Sequence, residues 1–160
     1  MRFIDFLENK VEDYFNPAVL SSAINQSSKS RELLVDMSID DFLNLAEEGH
    51  SPSKESEVSS LMSQGVKFDS VPFLGVGYSE GDPFAMQVKS HEGRHRARAL
   101  KKLGFATMPV KVIHDSIRWG GQTDPKNYDY VKNFPTHFIS EDGSVKVPFK
   151  INRKDLSDRF

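Results

Sequence analysis

The sequence predicts an α+β domain, a small mixed β-sheet with packed helices, and three observations predict it. Helix-period and strand-like apolar runs both occur along the chain. A strand, a tight turn, a basic helix and a second strand follow one another from Phe84 to Ile113. A hairpin pattern stands near the C-terminal end, where Thr136-His137-Phe138-Ile139 and Val145-Lys146-Val147-Pro148-Phe149 flank Glu141-Asp142-Gly143-Ser144. With 160 residues the chain has enough length for one core.

The elements can be justified in order. Phe3, Ile4, Phe6, Leu7, Val11, Tyr14 and Phe15 recur at helical spacing with acids and Lys10 between them, so a first amphipathic helix is expected to run to Asn16-Pro17. Packing on the domain is its expected role, with partner binding the alternative. Ala18–Ile24 suits a short second helix, and Gln26-Ser27-Ser28-Lys29-Ser30 is a polar linker. Leu33–Met37 reads as a strand. Ser38 is placed to cap a helix reaching about Glu48, with Ile39, Phe42, Leu43, Leu45 and Ala46 on its apolar face and Gly49 as its stop. Ser53 can cap the next helix, Lys54–Gln64, which Gly65 ends. Val71–Val76 reads as a strand with Pro72 at its start, where a missing N–H is tolerated. Glu80-Gly81-Asp82-Pro83 is a turn, and Phe84–Val88 and Met108–Ile113 are strands on either side of the basic helix. Residues 114–135, with Trp119-Gly120-Gly121, read as a long irregular segment that could cover a site.

Composition narrows the function. The net charge is −2, so the chain is no general nucleic-acid coat. Yet residues 89–102 hold six Lys/Arg against the single acid Glu92, which concentrates positive charge at one place. The absence of cysteine excludes disulfides, thiol catalysis and Cys-ligated zinc. No apolar run approaches spanning length and no signal-peptide layout opens the chain, so a soluble, cytoplasmic protein without membrane contact is expected.

The chemistry is concentrated in Lys89-Ser90-His91-Glu92-Gly93-Arg94-His95-Arg96-Ala97-Arg98. The start of a helix exposes unpaired N–H groups and partial positive charge, and arginines there add charge-assisted phosphate contacts. Gly93 allows close backbone approach or a positive φ. His91-Glu92-Gly93-Arg94-His95 also fits H-E-x-x-H literally, but a glycine and an arginine inside the motif, and the lack of a third ligand, argue against a zinc peptidase.

At these residues the sequence resembles the ParB/sulfiredoxin-like superfamily. Gly93-Arg94-His95-Arg96-Ala97-Arg98-Ala99 followed by Leu103-Gly104-Phe105-Ala106-Thr107-Met108-Pro109-Val110 is similar to the ParB nucleotide-binding motif, G-E-R-R-x-R-A and then L/A-G-x-x-T-V-P-V. Arg94 stands where ParB has glutamate and where sulfiredoxins have their catalytic cysteine, so sulfiredoxin chemistry is excluded. Glu92-Gly93-Arg94-His95-Arg96 looks more like the acid-Gly-x-x-Arg turn of the free serine kinases. The resemblance covers about residues 31–114. It leaves 1–30 as a helical N-terminal extension and 115–160 as an irregular segment and hairpin packed on the same domain, without the helix-turn-helix of a partition ParB.

The resemblance implies a nucleotide-binding protein that performs phosphoryl transfer or NTP hydrolysis, with Mg²⁺ and ATP or CTP. Gly93, Arg94 and Arg96 would hold phosphates, and Arg98 would do the same or support Arg96. His95 would bond a phosphate or move a proton, and Glu92 would act as base or hold Mg²⁺. Asp36, Asp40 and Asp41 are candidates for a second acid. The alternative is a DNA-binding or nuclease-like accessory protein of phage or plasmid type that uses the same basic helix on nucleic-acid phosphates.

Overall fold

The computed structural model describes residues 10–27, 31–46, 51–114 and 136–149. The first apolar stripe does not form one helix. Lys10 is extended (φ −106°, ψ 156°), and Val11–Tyr14 makes a single 3-10 turn whose start is closed by Asp13, which accepts the Lys10 N–H at 2.9 Å. The helical spacing of Val11 and Phe15 is real, but tertiary contacts use it. Both are buried, and Phe15 forms a parallel bridge to Phe68. The part of the expected helix before Lys10 lies outside the described residues.

Helix α1, Pro17–Ser27, begins on its proline and sets Leu20 and Ala23 in the core beside strand β1, Glu32–Ser38. Ser38 caps helix α2, Ile39–Leu45, by accepting the Asp41 N–H. That helix is shorter than expected because Ala46 is already extended. Helix α3, Pro52–Ser63, is capped by Ser51 rather than Ser53, with Pro52 in the first turn, where a proline needs no donor. Gly65, with φ +81°, ends it.

Strands β2, Phe73–Ser79, and β3, Asp82–Glu92, form a hairpin around Glu80-Gly81. Helix α4, Arg94–Lys102, leads into β4, Thr107–His114, and β5, His137–Ile139, pairs with β6, Lys146–Pro148. The six strands make one mixed sheet in the order β1-β4-β2-β3-β5-β6. Strand β4 is antiparallel to β1 and parallel to β2. β5 is parallel to β3, and the remaining pairs are antiparallel. The described residues are therefore α+β, with four α-helices on a six-stranded mixed sheet.

One core joins the elements. Leu33, Val35 and Met37 of β1 lie opposite Val112, Val110 and Met108 of β4, and all are buried with Leu74 and Val76 of β2. Ala97, Ala99 and Leu100 of α4 enter the same core, and so do Phe138, Val147 and Phe149 from the C-terminal hairpin. Asp82 fixes that hairpin to β3. One carboxylate oxygen accepts the Phe84 N–H at 3.0 Å and the other lies 2.9 Å from His137 Nε2.

Candidate functional site

The site is built by one change of backbone direction. Strand β3 continues past Val88 through His91 and Glu92, four residues further than its apolar alternation indicates, because Phe73, Leu74 and Gly75 pair with Glu92, His91 and Ser90. Gly93 then turns the chain with φ +117°. A side chain at this position is doubly disfavoured, since the conformation is left-handed and a Cβ would stand 2.5 Å from Pro72 Cβ. The first hydrogen bond of α4 runs from Ala97 N–H to Gly93 O, so the amides of Arg94, His95 and Arg96 precede the helix's own ladder. No side chain caps this end. The two histidines of the H-E-x-x-H string consequently stand on different elements, with Gly93 between them, and do not share a helix face.

The turn opens into a cleft of about 500 Å³, within the range of small-molecule sites. One wall is the turn itself, from His91 to Arg96. The opposite wall comes from α3 and the loop after it. Lys54, Val58 and Leu61 line it from the helix, and Val66, Lys67, Phe68 and Asp69 line it from the loop. Helix α4 also packs along α3 through an ion pair, with Lys102 Nζ 2.6 Å from the buried Glu55 carboxylate.

The residues of the turn do different work. Arg96 is directed into the protein. Its Nη1 donates to the Ser70 carbonyl and, at 2.7 Å, to the Ser70 hydroxyl, while its Nη2 lies 3.8 Å from Glu92 Oε1. The guanidinium also sits over the Phe68 ring, 5.9 Å from its centroid. Burial pulls its pKa down from the ordinary arginine value, and the Glu92 carboxylate opposes this. Arg96 thus anchors the loop wall to the turn. Glu92 is held near it with a side chain 67% exposed. Arg94 lines the cleft in the first turn of α4, where the helix dipole adds to its charge. Arg98, one turn on, is half-buried and outside the lining.

His95 has a ring nitrogen, Nδ1, that is fully buried and has no hydrogen-bond partner. Burial lowers the pKa of this histidine, and Arg94, Arg98 and Lys54 lower it further against the opposing Glu55, which favours the neutral ring. A neutral imidazole in a cationic cleft can donate to a phosphate oxygen or accept a proton.

The distal lysines of α4 are engaged elsewhere. Lys101 Nζ lies 2.7 Å from Asp40 Oδ1, and Lys102 is paired with Glu55. Asp40 therefore stands at the far end of α4 from the turn, and neither Asp36 nor Asp41 lines the cleft. The second carboxylate of the cleft is Asp69. Among the described residues no group of three or more His, Asp or Glu side chains could form a protein-only metal site. Mg²⁺ is commonly held by one or two carboxylates together with substrate phosphates, and Glu92 and Asp69 are the carboxylates available for that. Trp119-Gly120-Gly121 lies outside the described residues.

Sequence reasoning missed Lys54, Lys67 and Asp69. Their only local signal was a pair of basic residues near helix ends, and the fold alone brings them to a turn that is distant in sequence. No helix among the described residues is long and apolar enough to cross a membrane. Comparison with known proteins gives no significant match to any family model, curated protein or solved structure.

Proposed function

We propose that the protein binds a nucleotide, with its phosphates at the Glu92-Gly93-Arg94-His95-Arg96 turn. One observation carries this reading: the uncapped N-terminus of α4 faces a cleft of about 500 Å³ that gathers Lys54, Lys67 and Arg94 from three different segments. Backbone amides and Arg94 bind the phosphate oxygens, and the His95 ring, which lines the cleft, supplies a further contact. Arg96 holds the turn in shape through Ser70. Phosphoryl transfer or hydrolysis is the reaction class that suits the site, with His95 moving the proton and Glu92 and Asp69 receiving Mg²⁺ with an ATP or CTP ligand.

The geometry favours this over the DNA-binding or nuclease-like alternative. A nucleic-acid strip needs several cations along one exposed surface. Here Arg96 is directed inward, and Lys101 and Lys102 are paired with carboxylates. The positive charge is gathered at one end of the helix.

Thermal-shift measurements with ATP, CTP, GTP and ADP, with and without Mg²⁺, test the reading. A saturable rise in Tm is expected for wild type, and Arg94→Ala should lose most of it. Absence of any shift, with tight but steeply salt-dependent binding to DNA instead, sinks it in favour of the alternative.

A further inference from the structure

The cleft also has an apolar part. Among the described residues five large hydrophobic side chains are markedly exposed, and two of them, Leu61 at 42% and Val66 at 48%, line this cleft beside the half-buried Val58. Solvent-facing aliphatic groups next to a cationic turn suit a ligand with a charged end and an uncharged body. The aromatic residue of this wall, Phe68, is occupied. Its ring meets the Phe15 ring in a T-shaped contact at 5.1 Å and carries the Arg96 guanidinium at 5.9 Å.

Two further observations describe how that body would be held. Among the described residues that line the cleft, the side chains able to pair with a base edge are Lys54, Lys67, Asp69 and the charged and imidazole groups of the turn, which are the ones the phosphates and Mg²⁺ would engage. Much of the loop backbone is also committed. Val66 N–H donates to Leu61 O, Phe68 N–H donates to Tyr14 O, and Phe68 O accepts from Asn16 N–H.

We infer that Val58, Leu61 and Val66 form a second subsite that holds the ring body of a phosphate ligand by aliphatic contact. Recognition is then set by the phosphate and by a planar uncharged body, not by the identity of the base. The inference rests on the phosphate site proposed above. Purine and pyrimidine nucleotides should bind alike, and inorganic polyphosphate should bind through the turn alone.

Calorimetric titration of ATP, GTP, CTP, UTP and inorganic tripolyphosphate, each with and without Mg²⁺, tests this on the whole chain. The probes are compared on wild type, Leu61→Ser and Val66→Ser, at positions exposed enough for the fold to accept a polar residue. The four nucleotides should agree within about threefold. Each substitution should weaken all four by roughly fivefold, as expected for losing one or two buried methylenes, and should leave tripolyphosphate unchanged. A preference of tenfold or more for one base overturns the inference while leaving the phosphate site intact. So does an equal loss for tripolyphosphate and nucleotides in the serine variants. Failure of every probe, tripolyphosphate included, overturns the phosphate site and the inference with it.

Discussion

Two arginines separated by one residue have different consequences when removed. Arg96 bonds the Ser70 carbonyl and hydroxyl, approaches Glu92 and covers Phe68, with only 13% of its side chain exposed. Arg96→Ala removes charge-assisted bonds made by a largely buried guanidinium and should cost about 1.5–3 kcal/mol of stability, read as a fall in denaturation midpoint. Arg94→Ala should lower the midpoint less than Arg96→Ala and should weaken anion binding. Equal stability losses in both variants would remove the distinction. The sequence placed both arginines on the phosphate, since motif spacing does not show which way a guanidinium turns. His95 adds a pH dependence. Its pKa is lowered in the folded state, so the unfolded chain takes up the proton more readily. The associated stability is present above about pH 6.5 and is lost as pH falls. His95→Gln should therefore flatten the dependence of Tm on pH between neutral and about pH 5. Parallel slopes for variant and wild type would show that this ring does not carry the effect.

At the scale of elements, strand β3 connects two features with different purposes. Its last residue leads into the Gly93 turn, and its first residue, Asp82, holds the C-terminal hairpin. The Asp82 carboxyl is kept below the ordinary carboxylate range first by the Phe84 N–H and then by the His137 hydrogen bond and charge, with Lys146 nearby. A lowered carboxyl contributes stability that is present above its unfolded value and is lost as pH falls through its folded one. Asp82→Ala should accelerate hydrogen exchange of the β5–β6 amides at neutral pH and leave those of α4 unchanged. Uniform acceleration across the molecule would mean that the hairpin does not open as a separate unit. The hairpin turn has its own support, since the Ser144 hydroxyl and amide, with Ser140, hold the Asp142 carboxyl at about 2. The hairpin was legible in advance because its turn residues are local signals. The length of β3 was not. Lys89 and Ser90 are exposed polar residues, and their strand character comes from pairing with β2.

For the whole molecule, legibility divides along the same line between local and distant information. The α+β class was legible in the helix-period and strand-like runs and the C-terminal hairpin signal, and the αL turn at Gly93 in a glycine at a strand-to-helix junction. The cleft did not follow, because its second wall is delivered by α3 and the 64–70 loop. The first helix was misread for a related reason. Val11 and Phe15 lie at helical spacing, and both are buried without a continuous helix, Phe15 against Phe68. An apolar period indicates which residues seek the core, and the partner decides the backbone that takes them there.

Sheet order also has a consequence in time. Glu32 at the start of β1 pairs with Ile113 of β4, about eighty residues later, and β4 then separates β1 from β2. At roughly 5–20 residues per second, a ribosome leaves β1 without its partner for about 4–16 s. The β2–β3 hairpin and the Gly93 turn emerge during that wait, before the strand that closes the sheet beside them. The nascent chain therefore carries an exposed, apolar β1 for its most vulnerable interval, and chaperone binding to the 32–38 segment should end when β4 clears the exit tunnel.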